Sequence, residues 1–147
     1  MEVHQDFKDL LELFNKNEVE YLIVGSYALA FHGAPRFTGD IDILVRPTEL
    51  NAEKVLRALG EFGFGSLALG IKDFTKTGSI VQLGVPPVRV DLLTSISAVS
   101  WEEADQSKEP GSFGPVPVHY IGKAAFIKNK AASGRKKDLA DIEALEQ

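Results

Sequence analysis

The sequence contains no cysteine, which excludes disulfides, thiolate-held zinc and a cysteine nucleophile, and fits a reducing compartment. It also lacks any apolar run near the ~20 residues that a membrane-spanning helix requires. The opening stretch, Met1-Glu2-Val3-His4-Gln5-Asp6, has neither the basic nor the apolar region of a signal peptide. The cytoplasm is therefore the expected location, with no membrane partner. Surplus positive charge is missing too: a net charge of −5 argues against holding nucleic acid by bulk attraction. Histidine is scarce, and His4, His32 and His119 are scattered along the chain, which marks them as structural rather than catalytic. Repeats and low-complexity tracts are absent.

What is present suits a globular protein. The 147 residues suffice for one domain, spanning 1–147, with 44% hydrophobic and 25% charged residues. Phe7, Leu10, Leu11 and Phe14 fall at i, i+3, i+4 and i+7, which predicts a helix over 5–16. A strand is expected over Tyr21–Val24, a short helix over 26–32, and a strand over Asp40–Val45 ended by Pro47. Thr48 should cap a helix whose Ala52, Val55, Leu56 and Leu59 share one stripe. The stretch with Gly63, Gly65 and Gly70 has no assignable structure, and Phe62 and Phe64 within it are expected to pack locally. Ile80–Leu83 and Val88–Leu93 form a hairpin pattern. The stretch 94–114, rich in serine and containing Pro110-Gly111, reads as a mobile connection, with Trp101 as a packing anchor. Val116–Tyr120 is a strand, and helices at about 122–132 and 136–146, broken at Ser133-Gly134, pack on the rest. The fold class expected is α/β (α+β), a mixed sheet with flanking helices.

Chemistry concentrates in three places. Side chains alternate across a strand, so Asp40 and Asp42 point to one face, roughly 7 Å apart. Two acids on a strand otherwise made of Ile, Leu and Val are costly to bury without a cation between them. With hard oxygen ligands and no thiolate, Mg²⁺ or Mn²⁺ is the candidate. Gly25-Ser26 opens a helix straight after a strand, where glycine permits close backbone approach and the free N–H groups with the Ser26 hydroxyl form a phosphate cradle. Together these suggest a nucleoside triphosphate held through a divalent metal. Asp91, on a later strand, would position or deprotonate an attacking hydroxyl, with two metals about 4 Å apart serving an in-line displacement. Each element has a plainer reading: Gly-Ser as a turn, Asp-x-Asp as chance, Asp91 as an acid paired with Arg89. Their order and strand context argue for the joint reading. Lastly, Lys123, Lys128, Lys130, Arg135, Lys136 and Lys137 put six of sixteen basic residues within fifteen positions, with no acid among them. They form either a solvated helix face or a polyanion contact.

Gly-Ser, then Asp-h-Asp-h (h apolar) on a strand, then a lone Asp on a later strand resembles the DNA polymerase beta-type nucleotidyltransferase superfamily. Within it, Arg36-x-Thr38-x-Asp40-Ile41-Asp42 and the tail from Lys130 to Asp141 resemble the small prokaryotic members, the abortive-infection toxin group and minimal nucleotidyltransferases. The resemblance runs from about residue 7 to the end of the chain. It implies transfer of a nucleoside monophosphate from NTP to a hydroxyl of an RNA (tRNA, for example), protein or small-molecule acceptor, with pyrophosphate released. It places metal ligands on Asp40, Asp42 and Asp91, and triphosphate contacts on Gly25 and Ser26. It adds Lys130, Lys137 and Arg36 as further phosphate ligands. Larger members carry a second, acceptor-binding domain for which this chain has little room, so a partner protein or a homodimer enters the expectation. The alternatives are an antitoxin-type subunit acting on a partner and a catalytically silent nucleotide-binding domain.

Overall fold

A computed structural model describes residues 4–34, 39–65, 68–85 and 88–146. Six strands form one mixed sheet in the order β3-β4-β2-β1-β6-β5: β1 Tyr21–Val24, β2 Asp40–Val45, β3 Ile80–Val85, β4 Val88–Leu93, β5 Glu109–Phe113 and β6 Val116–Tyr120. The β1/β2, β3/β4 and β5/β6 pairs are antiparallel, whereas β2/β4 and β1/β6 are parallel. Among the described residues six α-helices flank it: α1 Gln5–Lys16, α2 Gly25–Phe31, α3 Glu49–Leu59, α4 Trp101–Ser107, α5 Lys123–Ser133 and α6 Lys136–Leu145. Among the described residues no helix is long and apolar enough to cross a membrane.

The expected elements appear where hydrophobic period and caps placed them. The stripe Phe7, Leu10, Leu11 and Phe14 of α1 is buried, and the Thr48 hydroxyl accepts the Asn51 N–H at the start of α3. Asn51 is itself buried and fully used. Its amide accepts from the Glu20 N–H and donates to the Glu20 and Arg46 carbonyls, tying α3 to the ends of β1 and β2. The glycine-rich stretch holds one wide helical turn, Gly60–Phe64, and a short 3₁₀ turn, Ile71–Phe74. Phe62 and Phe64 pack on each other there, with ring centroids 5.4 Å apart.

One expectation is corrected. The stretch 94–114 is not a featureless connection, since it contains α4 and β5. Helix α4 has a legible start: the Ser100 hydroxyl accepts the Glu103 N–H, the Ser-x-x-Glu pattern of a helix N-terminus, and Trp101 is buried beneath it. Strand β5 was obscured by Pro110 and Gly111. As the outermost strand it loses no sheet partner to the missing proline N–H. Gly111 is needed where it stands, because a Cβ there would lie 2.7 Å from the Phe31 ring. Phe31 in turn stacks on Tyr120 with centroids 4.2 Å apart, closing α2 onto the β5/β6 edge.

Candidate active site

The sheet register brings the acids together. Parallel pairing sets Asp40 opposite Arg89 and Asp42 opposite Asp91, and on its other side Asp42 pairs with Val24, the last residue of β1. These side chains therefore rise from neighbouring central strands on one face, beside the turn into α2. Gly25 makes that turn with a φ of 69°, in the left-handed region that favours glycine. A Cβ at Gly25 would stand 2.2 Å from Asp42 Oδ2, so the carboxylate fills the space that any other residue would need. Among the described residues no side chain caps the N-terminus of α2, and Ser26 is half-buried next to Gly25.

The Asp42 carboxyl is raised to about 6, first by burial, then by repulsion from Asp91 and a hydrogen bond with Asp91 that only a protonated carboxyl can donate. Lys130 opposes that rise and Asp40 adds to it. Arg89 lies between the outer two acids: its Nη2 is 2.9 Å from Asp40 Oδ2 and its Nε is 3.1 Å from Asp91 Oδ1. The second contact is badly aligned, and both buried atoms, Arg89 Nε and Asp91 Oδ1, lack a hydrogen bond. Among the described residues no three His, Asp or Glu side chains form a ready metal-holding group. The donor set nevertheless suits a hard divalent cation. It consists of carboxylate oxygens alone, one of them buried without a hydrogen bond, and it includes a carboxyl raised by burial and by its carboxylate neighbours.

The basic segment behaves differently. Lys130 is mostly buried and reaches the site's field, over the Phe126 ring at 5.5 Å and 3.4 Å from Asp138. Asp138 is fully buried and takes a second cation, Arg135, at 2.8 Å, and these cations keep its carboxyl below the usual range. Lys128 pairs with Glu103 on α4 instead. Lys123, Lys136 and Lys137 are exposed. Of the two lysines expected at the triphosphate, Lys130 is therefore the one whose charge is felt at Asp42, while Lys137 sits at the exposed start of α6. Arg36 and Thr38 lie outside the described residues. Two participants carried weak signals in the sequence. Arg89 shares a strand face with Asp91, but its span to Asp40 depends on the β2/β4 pairing. Asp138 is merely the first acid after the basic run.

No family model and no curated protein matches the sequence. Solved structures do. The Thermotoga maritima protein TM1012, designated a nucleotidyltransferase, superposes with a TM-score of 0.65 at 16% identity, over 93% of this chain and 88% of its own. The chain has the nucleotidyltransferase fold. The lincosamide antibiotic adenylyltransferase LnuA, in a lincomycin-bound crystal structure, matches over 100% of this chain and 99% of its own, with 15% identity and a TM-score of 0.58. ANT(2″)-Ia, crystallised with adenylyl-2″-tobramycin, matches at 13% identity and a TM-score of 0.58, over 95% of this chain and 84% of its own.

Proposed function

We propose that the chain is a metal-dependent nucleotidyltransferase that moves a nucleoside monophosphate from NTP to an acceptor hydroxyl. The observation that carries this reading is the in-register pair Asp42 and Asp91 against the Gly25 turn, with Asp40 on the same face. Asp40, Asp42 and Asp91 would hold Mg²⁺ or Mn²⁺. Such an ion, when bound, supplies charge neutralisation at the reacting phosphate. The backbone N–H groups from Gly25 onward and the Ser26 hydroxyl would hold the terminal phosphates, with Lys130 and Lys137 (and Arg36) completing the anion site. The acceptor oxygen attacks the α-phosphorus, the bond from that phosphorus to the bridging oxygen breaks, and pyrophosphate leaves with the electron pair. Asp91, the most buried of the three, would take the acceptor's proton.

LnuA is a lincosamide antibiotic adenylyltransferase and ANT(2″)-Ia was crystallised with adenylyl-2″-tobramycin, which favours a small-molecule acceptor over RNA or protein. The decisive experiment incubates the protein with each α-labelled NTP and Mg²⁺ or Mn²⁺, adding either cell extract or a panel of amino- and thio-sugar alcohols. One NTP should transfer its label, and Asp42→Asn should transfer it more than about a hundredfold more slowly. Nucleotide binding with no transfer to any fraction would leave a silent or partner-directed subunit as the better reading.

A further inference from the structure

Arg89 occupies the ground that a metal would need. Its guanidinium spans Asp40 at 2.9 Å and Asp91 at 3.1 Å, on the same face as Asp42 and one strand from the Gly25 turn. A divalent ion bonded to these carboxylates at about 2.0–2.1 Å cannot share them with that guanidinium, for reasons of space and of charge. The contact is also poorly made for a permanent structural ion pair. A guanidinium and a carboxylate ordinarily meet as a two-pronged fork. Here Arg89 Nε and Asp91 Oδ1 are both buried without a hydrogen bond, and the bond from Nη2 to Asp91 Oδ2 is stretched to 3.4 Å. Arg89 retains 29% of its side-chain exposure, so it has a way out.

We propose that Arg89 is the resident counter-ion of the acid trio, a positioning residue that blocks the metal until NTP arrives. The triphosphate then draws the guanidinium off Asp40 and Asp91, and the carboxylates pass to the divalent ion. Metal and nucleotide thus bind as a coupled pair, and the coupling is reciprocal. This rests on the nucleotidyltransferase reading above.

The test needs no turnover. Free Mn²⁺ is followed by electron paramagnetic resonance as it is titrated into wild type, Arg89→Met and Arg89→Lys. The titration is repeated with each of the four α,β-methylene nucleoside triphosphates, and the Mn²⁺ bound by the nucleotide alone is subtracted. Without nucleotide, Arg89→Met should bind Mn²⁺ at least about tenfold more tightly than wild type, because a competing charge is gone. Arg89→Lys should fall between them, since an ammonium serves one carboxylate at a time. If Arg89→Met does not fold, Arg89→Lys carries the test with a gain of severalfold. With nucleotide, wild type should gain far more Mn²⁺ affinity than Arg89→Met. Equal affinities of all three proteins without nucleotide, in chains that do bind Mn²⁺ with it, would overturn the role of Arg89 and leave the proposed reaction standing. An undiminished nucleotide effect in Arg89→Met would overturn the coupling. No Mn²⁺ binding in any condition would overturn both readings.

Discussion

The carboxylates and the cations of this protein are arranged in opposite ways. Asp40 and Asp42 sit together on β2, and Asp91 joins them on one face of the central strands from a distant part of the chain. The six cations from Lys123 to Lys137 are neighbours in the chain and part company in space: Lys128 goes to Glu103, Lys130 and Arg135 to Asp138, and Lys123, Lys136 and Lys137 to solvent. A strand repeats every two residues and its register locks faces together across neighbours, whereas a helix turns successive residues through ~100° and sends them to different surroundings. Density in the sequence is therefore a poor guide to a site on helices. Spacing on paired strands is a good one.

The largest effect that would test this contrast lies at Asp42. Asp42→Asn should lower transfer by more than about a hundredfold, on the scale of losing one charged contact to a transition state. The same change should stabilise the metal-free fold. Asp42 is raised from 3.8 to about 6, so the folded chain holds its proton more tightly than the unfolded chain. Stability at this residue is full below about pH 4 and is lost as pH rises through about 6, a loss on the order of 3 kcal/mol. Urea midpoints of wild type should therefore fall against those of Asp42→Asn across that window and run parallel outside it. Parallel curves throughout would mean that Asp42 is not short of counter-charge.

Gly25→Ala should come next. Its Cβ would press on Asp42 Oδ2, and its positive φ costs an L-residue about 1–2 kcal/mol. Transfer should drop by at least about tenfold with a lower melting temperature. Wild-type activity in this variant would show that the turn does not shape the acid site.

Among the cations, Asp138→Asn should matter most, because it removes the buried carboxylate that holds Lys130 and Arg135. A stability loss of about 1–3 kcal/mol is expected from the charged hydrogen bonds broken, with a rise in the KM for NTP matching that of Lys130→Ala. A stability loss with unchanged KM would confine Asp138 to folding.

The smallest effects separate the exposed lysines. Lys137→Ala should weaken NTP binding by a few fold, and by less when the γ-phosphate is absent, while Lys136→Ala leaves binding unchanged. Lys128→Ala should alter stability by no more than about 0.5 kcal/mol, its pair with Glu103 being solvent-exposed. Equal small losses in Lys137→Ala and Lys136→Ala that vanish in moderate salt would make the basic run a solvated face.

Much of this was legible without coordinates. The buried stripe of α1, the Thr48 cap of α3, the four-residue β1, the acid-bearing β2 and the β3/β4 hairpin all follow from local period and turn chemistry, which act over a few residues. So did the pairing of Asp40 with Asp42, which needs only the alternation of one strand. Strand β5 was hidden because Pro110 and Gly111 are turn residues everywhere except at a sheet edge against an incoming ring, and neither the edge nor Phe31 is local. Helix α4 announces itself only through Ser100 and Glu103, since its seven residues are too few to show a period.

The residue types of the site and their strand context belong to the sequence alone, because a carboxylate between apolar neighbours announces its cost wherever it occurs. Which carboxylates face each other belongs to the tertiary structure. Strand order and register place Asp91 beside Asp42, Arg89 across from Asp40, and Lys130 within reach of their field. The strand pairings reach across 49 residues of chain, and the reach to Lys130 is longer still, so the arrangement arises only when the whole core, from Phe7 to Leu145, is buried at once.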